Sequence, residues 1–177
     1  MGWTFYNSSG QRLTSQAATS GKVLQVLSAE FSGTQTITTD DDVFTDITSL
    51  SVDITPSATN SKILVLVCIG KSDSNSDANT AQFIVLRDST RIATGDAAGS
   101  RIRASWTQGV SGQSNGGGNT HFSTLDSPST TSAVTYKAAA SCHSNDVYIN
   151  RWRTDSDDGD GPSARTSSSI TVMEIGA

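Results

Sequence analysis

Ser61-Lys62-Ile63-Leu64-Val65-Leu66-Val67-Cys68-Ile69-Gly70 is the stretch that decides how this chain folds. Ile63 to Ile69 are all apolar, most of them Val, Ile or Cys, and leave no polar face. Gly70 on one side, with Pro56 and Asn60 on the other, leaves too little room for a helix. Length, β-branching and flanking turn residues instead predict a strand buried on both faces. A sheet holding such a strand needs cover on both sides, as inside a β-sandwich.

Composition agrees. The chain has 177 residues, enough for one domain with a real core plus an extension. Ser and Thr together make 52 residues, against eight Leu, four Lys and two Glu, so helix formers are scarce. The apolar fraction is 34%, low for a monomer of this size, and oligomerisation is one remedy. Net charge is −5, and no basic stripe for a nucleic acid or an anionic membrane is visible. Arg101 with Arg103, and Arg151 with Arg153, are expected to alternate on solvated or inter-subunit strand faces. Asn7, Ser8, Ser9, Gly10 and Arg12 interrupt the first apolar residues, which argues against a signal peptide. No run approaches the ~20 apolar residues of a membrane-spanning helix. Cys68 reads as a small core hydrophobe, and two cysteines do not make a disulfide scaffold.

Outward from the central run, strand signals recur at even spacing. Val23 to Phe31 ends at Ser32-Gly33, and Thr34 to Thr38 continues briefly. Asp40-Asp41-Asp42 is a turn, and Leu50, Val52 and Ile54 alternate up to Pro56. Lys71 to Asn79 reads as a polar loop, Gln82 to Arg87 as a strand, and Asp88-Ser89-Thr90 as the turn of a hairpin. Strands are expected over Ser100–Thr107, His121–Asp126, Ala133–Cys142, Val147–Ile149 and Ile170–Ile175. Gly109 to Asn119, with five glycines, and acidic Asp155 to Ser163 read as loops. The expected fold is all-β: an antiparallel, jelly-roll-like β-sandwich over residues 22–177, with an extended N-terminal arm over 1–21.

That arm carries Trp3, Phe5 and Tyr6, followed by a polar stretch from Asn7 to Ser20. It reads either as a plain terminus or edge strand, or as a docking arm with an aromatic tip. Trp and Tyr are favoured anchors at interfaces, which makes Trp3, Phe5 and Tyr6 the candidate partner-binding residues. About twenty extended residues reach on the order of 65 Å, enough to cross a neighbouring subunit.

Catalytic and metal signals are weak. Asp73-x-Asn75-x-Asp77 begins like a calcium loop, but Ala78 stands where Gly is needed and Ile84 where the bidentate Glu belongs. In the Asp155, Asp157, Asp158, Asp160 cluster, Gly159 and Gly161 break the ligand spacing. His121 and His143 have no partner at metal-ligand spacing. No G-x-S-x-G elbow occurs, and Gly116-Gly117-Gly118 lacks the lysine of a phosphate-cradling loop. The residues point to no catalysis, cofactor or metal.

Several stretches, taken in order, resemble tailed-bacteriophage virion proteins. They are Asp53-Ile54-Thr55-Pro56 leading into Ser61-Lys62-Ile63-Leu64-Val65, then Val85-Leu86-Arg87-Asp88-Ser89-Thr90. Leu125-Asp126-Ser127-Pro128, Val134-Thr135-Tyr136-Lys137 and Ser168-Ser169-Ile170-Thr171-Val172-Met173-Glu174-Ile175 follow. The opening Gly2-Trp3-Thr4-Phe5-Tyr6-Asn7-Ser8-Ser9-Gly10-Gln11 is similar to the starts of short phage structural proteins. The resemblance implies a homotrimeric β-sandwich, as in tail-fibre knobs and capsid decoration (cement) proteins. A fibre has a shaft before its knob, whereas about twenty residues precede this one, so the resemblance favours a cement protein bound to the major capsid protein. Three arms per trimer would multiply a weak contact through effective concentration. A tail-fibre or tail-associated receptor-binding knob is the alternative, with the Gly109–Asn119 loop as its host-facing tip.

Overall fold

The computed structural model describes residues 5–6, 12–13, 21–40, 42–74, 81–108, 118–142, 145–159 and 163–176. It is all-β, with two antiparallel sheets packed against each other as a β-sandwich. The strands are β1 (Phe5–Tyr6), β2 (Arg12–Leu13), β3 (Val23–Phe31), β4 (Gln35–Thr39), β5 (Thr45–Ile54), β6 (Lys62–Ser74) and β7 (Ala81–Arg87). They continue with β8 (Thr90–Ile92), β9 (Trp106–Gln108), β10 (Gly118–Asp126), β11 (Val134–Ser141), β12 (Asn145–Ile149) and β13 (Ser168–Ile175). From β4 onward the chain passes from one sheet to the other at most connections, as in jelly-roll winding. β1 and β2 form a two-stranded sheet of their own.

The central run lies in β6, the middle strand of the six-stranded sheet. β13 flanks it on one side and β10 on the other, with β3 beyond β13. From Ser72 onward β12 takes the place of β13, and β4 lies beyond β12. β6 therefore continues to Ser74, where a polar loop from Lys71 was expected. The changeover needs Gly70: a Cβ there would lie 2.0 Å from the Ser167 carbonyl oxygen. Asn150, fully buried at a φ of 61°, ties the same end together. Its Nδ2 donates to the carbonyls of Phe31 (2.7 Å) and Gly33 (2.8 Å), and its Oδ1 accepts from the Ser168 hydroxyl (2.6 Å).

The five-stranded sheet runs β5-β11-β7-β8, with β9 also pairing β7. Ile63, Val65, Val67 and Ile69 of β6 meet Leu50, Val52, Ile54, Tyr136, Phe83 and Val85 from this sheet in one core. Two further features cross the core. Tyr136 donates its hydroxyl to Asp126 Oδ2 at 2.6 Å, and Arg87 meets the same oxygen at 2.7 Å, joining β11 and β7 to β10. Burial and the bond to Asp126 push the Tyr136 hydroxyl pKa far up. Trp106 stacks between Phe83 and Phe122, with centroids 5.0 Å from each.

The strand expectations hold for β3 to β8, with β6 running past its expected end, and for β10 to β13; they fail over Ser100–Thr107. The expected strand over Ser100–Thr107 shrinks to Trp106–Gln108, because residues 93–105 run as an irregular loop. Arg101 and Arg103 therefore sit in that loop, where Arg103 donates to the Gly95 carbonyl at 2.7 Å. Arg151 and Arg153 lie just past β12, with Arg151 stacked 4.5 Å over the Tyr148 ring and hydrogen-bonded to Thr36. Cys142 is the core cysteine, whereas Cys68 is half-buried on the opposite side of β6 from the core.

Candidate interaction surface

β6 was expected to be buried on both faces. One face is: Ile63, Val65, Val67 and Ile69 lie in the core. The other, carrying Leu64, Leu66 and Cys68, is only half-covered. Its apolar residues form part of an outer sheet face four strands wide. Register aligns Leu125, Leu64, Met173 and Val26 in one row across β10, β6, β13 and β3. The next rows are Ser123, Leu66, Thr171 and Ser28, then His121, Cys68, Ser169 and Glu30. Leu125 is 57% exposed and Val26 53%, and Leu24 beside it is exposed as well. Contiguous exposed apolar surface rimmed by polar residues is a feature of interaction sites.

A shallow depression of ≈350 Å³ crosses this face, lined by Leu66, Cys68, His121, Ser123, Ser169 and Thr171. Here the pairing of β10 with β6 sets His121 opposite Cys68, a juxtaposition that residues so far apart in sequence do not announce. A cysteine beside a histidine is a recognised nucleophile–base arrangement. Burial, however, pushes the Cys68 thiol pKa up, away from the thiolate an activated cysteine needs. Chemically the depression offers apolar contact and weak hydroxyl donors.

The residues singled out from sequence fall as follows. Phe5 and Tyr6 form β1, paired with Leu13 and Arg12, and their side chains and all of Trp3 lie outside the described residues. Asp73 is buried in β6 and accepts from the Arg153 backbone amide at 3.2 Å, so it sits in a strand, while Asn75 and Asp77 lie outside the described residues. Asp155 accepts from Arg165 at 2.8 Å through both carboxylate oxygens, and Asp160 is outside the described residues. Among the described residues no group of three or more His, Cys, Asp or Glu side chains is placed to hold a metal ion. The Gly-rich loop and His143 are likewise outside the described residues, apart from Gly118 and Asn119 in β10.

Sequence reasoning also passed over Glu174, at the core end of β13. It is 1% exposed and accepts from the Ser57 amide (2.7 Å), the Ser57 hydroxyl (2.6 Å) and Gln25 Nε2 (2.7 Å). Burial alone would raise its pKa, but the Ser57 hydroxyl and the other donors outweigh it and hold the carboxylate at about 2. No spacing in the sequence signals this site, because its donors come from β3 and from the turn after β5.

A scan against protein-family models finds no match to the chain. A search of curated proteins likewise finds none.

Proposed function

We propose that the chain is a non-enzymatic structural protein of a tailed-bacteriophage virion, a decoration (cement) protein. In this reading it sits as a homotrimer on the shell of the major capsid protein and stabilises the head, without a cofactor. The observation that carries the reading is the apolar row Leu125, Leu64, Met173 and Val26, with Leu66 beside it, on the outer face of the six-stranded sheet of an otherwise polar, acidic chain. A surface of that kind serves assembly, since its desolvation costs little and its burial is favourable. The resemblance of residues 22–177 to virion sandwiches supports the same role, and residues 1–21 supply the docking arm through Trp3, Phe5 and Tyr6.

The test combines binding and location. Light scattering should give a trimer, and full-length protein should label the heads of particles that lack the native copy. Protein lacking Met1 to Ser20 should melt as the full chain does yet bind particles far more weakly, because several aromatic anchors per trimer act together. Labelling confined to tail tips would replace the cement reading with a receptor-binding knob. Normal decoration by the truncated protein would remove the arm from the account.

A further inference from the structure

Cys68 and His121 are direct cross-strand partners on the outer face of the six-stranded sheet. Partners of this kind hold their Cβ atoms about 4.5–5.5 Å apart, close enough for both side chains to grip one ion. Both line the depression of ≈350 Å³, Cys68 as a free, half-buried thiol and His121 as an exposed imidazole. None of the residues lining it is Asp, Glu, Lys or Arg. Asn119 Nδ2 lies 3.4 Å from His121 Nε2, so that ring nitrogen is engaged and Nδ1 is left for a ligand.

We propose that Cys68 Sγ and His121 Nδ1 form a two-donor site for one copper(I) ion. Donor number and charge choose the ion. Glu30, the carboxylate of the same row, stands two strands from Cys68, roughly 9–10 Å away across the sheet. Two donors leave zinc's tetrahedron half empty and give calcium no oxygen shell. Copper(I) is soft, takes thiolate and imidazole, and is satisfied by two donors. On binding, the thiol gives its proton to solvent and a sulfur–copper bond takes its place. One monovalent cation, one thiolate and one neutral imidazole sum to zero charge, which an uncharged, half-covered depression holds without a counter-ion. Zinc on the same pair would leave a net positive charge there. Ligation through Nδ1 puts the ring proton on Nε2. The Asn119 amide, turned so that its oxygen faces the ring, accepts that N–H and fixes the imidazole, as the partners of metal-bound histidines generally do. This site goes beyond the proposed function and does not depend on it.

Copper(I) uptake tests it directly. The full chain, in anaerobic ascorbate, should take one copper(I) per chain from a bicinchoninate chelator. Cys68→Ser should abolish that uptake, although the buried Cys142 remains. His121→Ala should weaken it by about tenfold or more. Serine is nearly the size of cysteine and His121 is exposed, so metal-free thermal melts of both variants should match the parent. X-ray absorption of the loaded chain should show one sulfur and one nitrogen donor at copper. Uptake that survives Cys68→Ser overturns the proposal, and so does uptake indifferent to His121→Ala. Two sulfurs at the copper would place the ion between two copies and overturn the pair. Equal affinity for zinc would overturn the choice of ion.

Discussion

On the outer face of the five-stranded sheet, neighbouring strands meet through charge and hydroxyls. Lys137 reaches Asp46 at 2.6 Å, and the Thr135 hydroxyl donates to Asp53 at 2.6 Å. A depression of ≈590 Å³ there is lined by Asp46, Ser49, Ser51, Asp88, Thr135 and Lys137. On the outer face of the six-stranded sheet, the corresponding positions are Leu64, Leu66, Met173 and Val26. Both faces look outward from the same core, yet the second departs from the alternation of a solvated antiparallel sheet along one row, where Leu125, Leu64, Met173 and Val26 stand together. A face that keeps its polar residues is finished as a surface. A row of Leu, Met and Val on the solvent side leaves apolar surface in water.

The two sides part most clearly within β6. Ile63→Ala, on the core side, should cost about 2–5 kcal/mol in urea unfolding. Leu66→Ser, on the outer side of the same strand, should cost clearly less to the isolated chain, because Leu66 is only partly buried. Equal losses would show that Leu66 is core and that the outer face is not a free surface.

Acid probes the rim of the same sheet. The Glu174 pKa of about 2 lies below the unfolded carboxylate value, so the unfolded state binds the extra proton first. Its stabilisation is therefore present above about pH 4.5 and is lost as the pH falls towards 2. The loss should be on the order of 1–3 kcal/mol. Glu174→Gln should flatten that part of the stability–pH curve, and an unchanged slope would move the acid sensitivity to another carboxylate.

The smallest effect belongs to the polar face. Lys137→Ala removes an ion pair whose Asp46 side chain is about half exposed, and should change stability by no more than about 0.5–1 kcal/mol. A loss well beyond that would mean that this face is also part of a buried surface.

Much of the fold was legible because its signals are local. Val23 to Phe31, Leu50 to Ile54 and the Asp88-Ser89 hairpin follow from period-two alternation and turn chemistry, and the structure holds them where expected. Residues 93–105 deceived because Ile102 and Ala104 mimic a strand. Neither sheet offers that stretch a partner beyond Trp106 to Gln108. The candidate surface was hidden for a different reason: a strand with no polar face reads as doubly buried, and only the sheet order reveals which side lacks cover.

By itself, the sequence determines that this chain is all-β, where most strands begin and end, and that Ile63 to Ile69 lie at the centre. These are properties of neighbouring residues, set by side-chain alternation and backbone preference. Tertiary structure alone decides which distant residues meet. It sets His121 opposite Cys68, gathers Ser57 and Gln25 around Glu174, and joins Asn150 to Phe31, Gly33 and Ser168. It also decides that β3 is an edge, because strand order and register arise from long-range pairing, which no local pattern encodes.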